Sequence, residues 1–345
     1  MTASVSWRRR SSAVNVIALA AAIMASASGN ATAQSGYYAG KTVRIVVGSS
    51  AGGGYDTYAR AIAPILAEHL PGKPTVVVQN MPGGGGVTAV LHLDANAPKD
   101  GTVISLFNAG VITDMASDPA KAKIDLTKMA WIGSATRSFR MCYFWHGSGI
   151  KTWDGLDRAR LVTLGATGAR SASYNDAAML KNLLKQNVRI IAGYPGRTEV
   201  QLAVERGEVD GECGTPESVP EDWWRDKKAS MVLRMSEAKT PEIPNDVPWI
   251  GSFVKSEADM QALQLLIAAN ELGRPFVASR EVPAAQIEML RTAFDATMRD
   301  PNYVALAAKR QLTVSPMSGQ EAQKVITQIF SVPSAVTDRA RDIVK

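Results

Sequence analysis

Apolar residues fall along the chain in short runs that alternate with helically spaced stretches. Lys41–Gly48 sets Val43, Ile45, Val46 and Val47 in a buried-strand pattern and runs into a glycine loop, Gly48–Gly54. Asp56–Leu70 follows with Tyr58, Ile62, Ile65, Leu66 and His69 at helical spacing, and Pro64 inside it predicts a kink. Thr75–Gln79 predicts a second strand, stopped by Asn80-Met81-Pro82 and the run Gly83–Gly86. Val87–Ala95 reads as a helix, and Asp100-Gly101 turns into the strand Thr102–Phe107.

The same pattern returns further on. Arg160–Leu164 predicts a strand closed by Gly165-Ala166-Thr167-Gly168, and Ser171–Gln186 a helix. Val188–Ala192 is a strand closed by Gly193-Tyr194-Pro195-Gly196, Thr198–Arg206 a helix, and Val209–Cys213 a strand. Ser230–Met235 adds a short strand before the proline-rich Pro241–Pro248, and the end is helical over Glu257–Leu272, Ala284–Arg299 and Gly319–Phe330. Strands alternating with helices of this length predict an α/β fold with parallel sheets covered on both faces. Two similar units, each with a glycine loop at a strand's carboxyl end, predict two lobes around one cleft.

At 345 residues the chain has room for about two domains. Its 46% hydrophobic and 20% charged residues exclude a disordered chain, a collagen and a multi-span membrane protein. Arg8-Arg9-Arg10, the ten apolar residues Val16–Ala25 and Ala31-Thr32-Ala33 form the three parts of a signal peptide, residues 1–33, cleaved after Ala33. Ten apolar residues are too few for a membrane anchor, which needs about 20. A twin-arginine reading ranks second, since no bulky apolar residue follows the arginine pair. The mature chain is therefore expected to be exported to the periplasm. Three of the 38 basic residues leave with the leader against 32 acids, so the charge falls from +6 to +3. That balance, with 6% aromatics, argues against nucleic acid as a partner. Cys142 and Cys213 are the two cysteines; they either bond across a long loop or stand as two buried thiols.

The candidate chemistry is binding chemistry. Ala51-Gly52-Gly53-Gly54-Tyr55-Asp56 follows a strand and opens a helix, where backbone N–H groups and the helix start favour an anion. Thr57 breaks the dinucleotide glycine pattern, and no P-loop motif occurs. Pro82–Gly86 is either a flexible loop or a second tight helix start. Gly165–Ser173 carries Thr167, Gly168, Arg170, Ser171 and Ser173 ahead of a helix: Ser171 is expected to cap it, and Arg170 suggests a second anion site. Arg140 reads as a surface residue. Asp210 and Glu212 alternate along a strand and share a face. His69, His92 and His146 are scattered, no metal-ligand spacing or G-x-S-x-G elbow exists, and neither catalysis, a metal nor a cofactor is expected.

An ordered series of motifs runs through the mature chain. Ala51-Gly52-Gly53-Gly54-Tyr55-Asp56 is followed by Ala59-Arg60-Ala61, by Val76–Gly86, by Ala97-Pro98-Lys99-Asp100-Gly101-Thr102, by Gly207-Glu208-Val209-Asp210, by Val282-Pro283 and by Asp300-Pro301. The series resembles the extracytoplasmic solute receptors of tripartite tricarboxylate transporters, the Bug or TctC-like family. The resemblance implies a two-lobed, type II periplasmic-binding-protein (Venus-flytrap) fold with a ligand cleft between the lobes. It implies lobe 1 as residues 36–137 plus 252–345, lobe 2 as 138–251, and a monomer that takes a small carboxylate to membrane subunits. Carried onto this chain, the ligand loops are Ser50–Asp56 (Ser50, Ala51, Gly52, Gly53, Gly54, Asp56) and Thr167–Ser173. Asn108, Tyr194, Arg197 and Asp210 complete the candidate set. Gly48-Ser49-Ser50 stand where the family has an aromatic and prolines, and Tyr174-Asn175 where a His is common. The rival readings are a receptor that presents a carboxylate to a sensor kinase and, behind it, an exported hydrolase or transferase.

Overall fold

Two sheets organise the molecule, and each is seeded by a run of β-branched residues. In the first, β1 (Thr42–Val47), β2 (Thr75–Asn80) and β3 (Val103–Leu106) pair in parallel, with β1 in the middle. β4 (Ala130–Ser134), β10 (Pro275–Ala278) and the short β11 (Met317–Ser318) complete the order β11-β4-β10-β3-β1-β2. The second sheet holds β5 (Met141–Trp145), β6 (Val162–Ala166), β7 (Val188–Ala192), β8 (Gly211–Gly214) and β9 (Ala229–Arg234) in the order β7-β6-β8-β5-β9. The computed structural model describes Met1 and residues 36–118, 124–159, 161–169, 171–237 and 239–345. The expected signal peptide, its cleavage point and Arg170 lie outside the described residues.

The two orders are one topology used twice. β2-β1-β3 corresponds to β7-β6-β8, each a parallel trio. The fourth strand, β10 or β5, arrives from the other lobe through a crossover and runs antiparallel to both of its neighbours. The sheets are therefore mixed, which corrects the expectation of parallel ones. Short apolar runs such as Phe276-Val277 carry no sign of direction; the crossover does.

The helices follow the local chemistry. Gly54–His69 buries Tyr58, Ala59, Ile62 and Leu66 against the first sheet and continues past Pro64. Pro64 and Arg60 both face solvent, so water can serve the Arg60 carbonyl that loses its amide partner. Val87–Ala95 forms as expected. Ser171–Gln186 does not stay one α-helix: Ala172–Ala178 passes into a π-helical turn, Met179–Leu183. The segments Gly110–Ser117, Pro301–Lys309 and Ser334–Ile343 add helices not foreseen from the sequence.

One apolar cluster runs from the first sheet (Phe107, Trp131) into the second (Phe144, Leu164), so the lobes share a core on one side. The crossovers are laced together there: Ser138 N–H donates to the Asn270 carbonyl (2.8 Å), and Met235 N–H to that of Arg140 (2.8 Å). Opposite this packed side the sheets leave a cleft.

Candidate functional site

Each parallel trio points its carboxyl ends into the gap, where open α/β sheets place their ligands. Gly48 follows β1, Gly83–Gly86 follow β2 and Asn108 follows β3; Thr167, Pro195 and Thr215 follow β6, β7 and β8. All of these loops line one cavity of about 40 Å³, room for about three waters.

Glycines make the approach possible. In the second glycine run, Gly83, Gly84, Gly85 and Gly86 all have positive φ, a conformation that disfavours side chains. The run left open by sequence is thus a fixed, glycine-dependent part of the cleft. Across the gap a Cβ on Gly168 would stand 2.8 Å from the Gly85 nitrogen, so two backbones from different lobes touch. Gly168→Ala is expected to hold the lobes apart at a cost of about 1–3 kcal/mol, which at 1.4 kcal/mol per decade is roughly a 5- to 150-fold loss of ligand affinity. Calorimetry reads the affinity, and an unchanged circular dichroism spectrum confirms the fold. Equal affinity would show that this contact does not limit closure.

Three helix starts meet the cleft without a side-chain cap. The N-caps are Gly53, Gly86 and Gly196, ahead of Gly54–His69, Val87–Ala95 and Arg197–Glu205. Helix starts leave backbone donors without intrahelical partners, and the dipole favours negative charge there.

The expected loop residues separate into lining and framework. Gly53, Gly54, Asn108, Thr167, Ser173 and Arg197 line the cavity. Asn108 Oδ1 accepts from Gly110 N–H (2.8 Å) in its own lobe and from Ala172 N–H (3.1 Å) in the other. Ser171 caps its helix through Tyr174 N–H, and its hydroxyl lies 3.0 Å from that of Ser173, which accepts from Thr167 N–H (3.3 Å). Ser50 Oγ reaches Glu199 Oε2 across the lobes at 3.1 Å.

Contrary to expectation, five more of the candidate contact residues lie off the cavity wall. Asp56 is buried behind its loop, accepting from Gly52 N–H (2.9 Å), Arg60 Nε (2.8 Å) and Asn80 Nδ2 (2.9 Å). Burial alone would raise its carboxyl, but these hydrogen bonds hold it below the usual value. Asp56 therefore shapes the loop. Asp210 sits at the start of β8, the end away from the cleft, where its carboxylate accepts from Thr163 N–H (2.6 Å) and Oγ (2.8 Å). Tyr194 packs against the Val200–Trp223 cluster and leaves the cavity wall to Pro195. Ala51 is exposed and lies off the wall, as does its exposed neighbour Gly52.

The largest departure is a set of three guanidinium groups, of which Arg140 and Arg274 are buried and Arg197 is half-buried. Arg140, read from sequence as a surface residue, is 4% exposed and pairs with Asp176 at 2.5–2.6 Å. Arg197 faces Glu212 Oε1 at 3.2 Å and donates to Ser218 Oγ. The Cys213 carbonyl accepts from both arginines, at 3.3 Å each. Arg274, in the first lobe, is 2% exposed, stacks 4.5 Å over the Tyr55 ring and donates to Glu217 of the second lobe at 3.0 Å. All three line the cavity. Burial pushes the Asp176 and Glu212 carboxyls up from their ordinary values despite the arginines beside them. Nothing local in Phe139-Arg140-Met141 or Gly273-Arg274-Pro275 marks these side chains. Their positions, in or next to a crossover, would have been the only clue.

Beneath the two second-lobe arginines, Cys142 on β5 stands opposite Cys213 on β8 and is bonded to it. The pairing left open by sequence is a disulfide.

The cleft geometry can be set beside proteins already known. No family model matches the chain. A curated relative, the UPF0065 protein in the gbd 5′ region of Cupriavidus necator, is 26% identical over 333 residues, 94% of each chain. Among solved structures, the periplasmic binding protein BugD superposes with a TM-score of 0.69 at 22% identity, over 85% of this chain and 95% of its own. MatC of Rhodopseudomonas palustris with bound malate gives 0.69 at 18% identity, over 88% and 99%. This chain has the Bug and TctC fold. A second R. palustris protein, with adipate, gives 0.67 at 18% identity over 87% and 97%. The resemblance drawn from the ordered motifs is borne out, and with it the two-lobed α/β architecture. Within this Bug-type fold the cleft carries backbone donors from both lobes together with three guanidinium groups. Among the described residues no nucleophile with a neighbouring base lines it. Among the described residues no helix is long and apolar enough to cross a membrane.

Proposed function

We propose that this chain is an exported solute receptor that captures a small carboxylate between its lobes and hands it to the membrane subunits of a tripartite tricarboxylate-type transporter. The lobes are residues 36–137 plus 252–345 and residues 138–251. The observation that carries the reading is the convergence of three helix starts without a side-chain cap and three arginines, two of them buried, on one small cavity. Backbone donors and a planar guanidinium fork both suit a carboxylate. The malate and adipate found in proteins of the same fold support the ligand class. Contacts made with both loops favour the closed form, which is the state a transporter can distinguish. The chain binds and does not catalyse.

Thermal-shift screening against mono- and dicarboxylates tests the ligand class, because a ligand selective for the native state raises its melting temperature. Deleting the gene and scoring carboxylate uptake tests the transporter assignment. Incubation with the best ligand should yield no product. A melting temperature indifferent to every carboxylate would overturn the reading.

Arg197 is the guanidinium we expect the ligand to meet. Removing it alone would orphan Glu212, so the informative variant is Arg197→Met with Glu212→Gln. A charged hydrogen bond contributes about 1.5–3 kcal/mol, so affinity should fall roughly 10- to 150-fold while the melting temperature holds. Full affinity in calorimetry would remove Arg197 from the site.

A further inference from the structure

The second-lobe wall of the cleft holds a closed set of four charges. Arg140 and Arg197 share the Cys213 carbonyl, and Asp176 and Glu212 lie behind them, 3% and 0% exposed. The two acids are not held alike. Asp176 Oδ2 takes two bonds from Arg140, at 2.6 and 2.5 Å. Glu212 takes Tyr143 OH on Oε2 at 3.0 Å, but its Oε1, 3.2 Å from an Arg197 nitrogen, has no hydrogen-bond partner and no contact with solvent.

We propose that Glu212 sets the ligand charge that the cleft accepts, so that a dicarboxylate enters together with one proton, which binds Glu212 Oε1. The proposal rests on the carboxylate reading of the cleft. Each arginine already has a protein carboxylate, so the wall is formally neutral before the ligand arrives. A dicarboxylate in this small cavity adds two negative groups to Asp176 and Glu212, four around two guanidiniums, where a monocarboxylate leaves three. Like charges in a water-poor site cannot all stay ionised, and the least-held oxygen takes the proton. Burial already biases Glu212 that way. The groups that face it are Tyr143 on β5, Arg197 on its helix, Arg140 in the crossover and Asp176 on Ala172–Ala178. Tyr143 is itself pushed up by burial and stays a donor. Asp176 keeps its two bonds, which leaves Glu212.

The sign follows from linkage. Binding that takes up a proton weakens as pH rises, by up to tenfold per pH unit for one proton. The probe is succinate, with propionate as the single-charge control, titrated by calorimetry from pH 6.5 to 9, where simple carboxylic acids are ionised. Repeating the titrations near pH 8 in HEPES and in Tris, whose ionisation enthalpies differ, counts the protons directly, without any variant. Wild type should take up about one proton with succinate and fewer with propionate. Glu212→Gln, which mimics the protonated form, should flatten the profile and bind succinate at pH 9 as tightly as wild type does at pH 6.5. Succinate binding without proton uptake, or an unchanged pH slope in Glu212→Gln, overturns this proposal and leaves the carboxylate reading standing. Failure to bind either probe at any pH overturns both.

Discussion

Arg140→Ala is expected to destabilise the protein by about 3–5 kcal/mol, the usual cost of leaving one member of a buried ion pair behind. Asp176 would remain 3% exposed with its two strongest bonds gone. The Cys213 carbonyl would also lose a donor. The pH dependence separates this cause from a simple loss of packing. An unpaired buried Asp176 must protonate to fold, so its folded value lies far above the unfolded value near 4. A carboxyl raised on folding favours the native state at low pH and opposes it as pH rises through that window. The deficit of Arg140→Ala should therefore be small near pH 4 and grow toward neutrality. Adding Asp176→Asn should recover much of the loss at pH 7 and remove the pH dependence. Calorimetric melting across pH checks both, and equal melting temperatures for Arg140→Ala and wild type at pH 7 would show that Asp176 is not effectively buried.

Opening the Cys142–Cys213 bond is expected to cost about 2–4 kcal/mol, since the bond closes a loop of 71 residues in the unfolded chain. Reduction should lower the melting temperature, and Cys142→Ala with Cys213→Ala should lie as low with or without reductant. Ligand affinity should also weaken, because Cys213 offers its carbonyl to both Arg140 and Arg197. Thiol titration of protein exported to an oxidising compartment and then unfolded should find no free sulfhydryl. A melting temperature indifferent to reductant, or two free thiols, would contradict the pairing.

Much of the frame could be read before any coordinates. β1, β2, Val87–Ala95 and Ala284–Arg299 lie within a residue or two of where apolar spacing puts them. The glycine loops at strand ends pointed to a cleft because few other structures need so many glycines at a strand-to-helix turn. Six expected residues, Gly53, Gly54, Asn108, Thr167, Ser173 and Arg197, do line that cleft. Four strands were missed: β5, although Met141–Trp145 is apolar throughout, and three with little local signature, β4, β10 and the two-residue β11. β10 is four residues long, and β4 has a glycine inside it.

What the sequence determined by itself was local: element type from the period of its apolar residues, loop character from glycine and proline, and a family resemblance from the order of short motifs. Partnership was decided by the tertiary structure. Arg140 and Asp176 are 36 residues apart, Arg274 and Glu217 57, and Ser50 and Glu199 149. Asp56 and Asp210 looked like ligand groups because an acid beside a glycine loop or on a strand is ambiguous until its neighbours are known. Arg140 looked like a surface residue for the same reason. A charged side chain is worth little in water and a great deal where water is excluded, and only the closing of two sheets around one cleft determines where water is excluded.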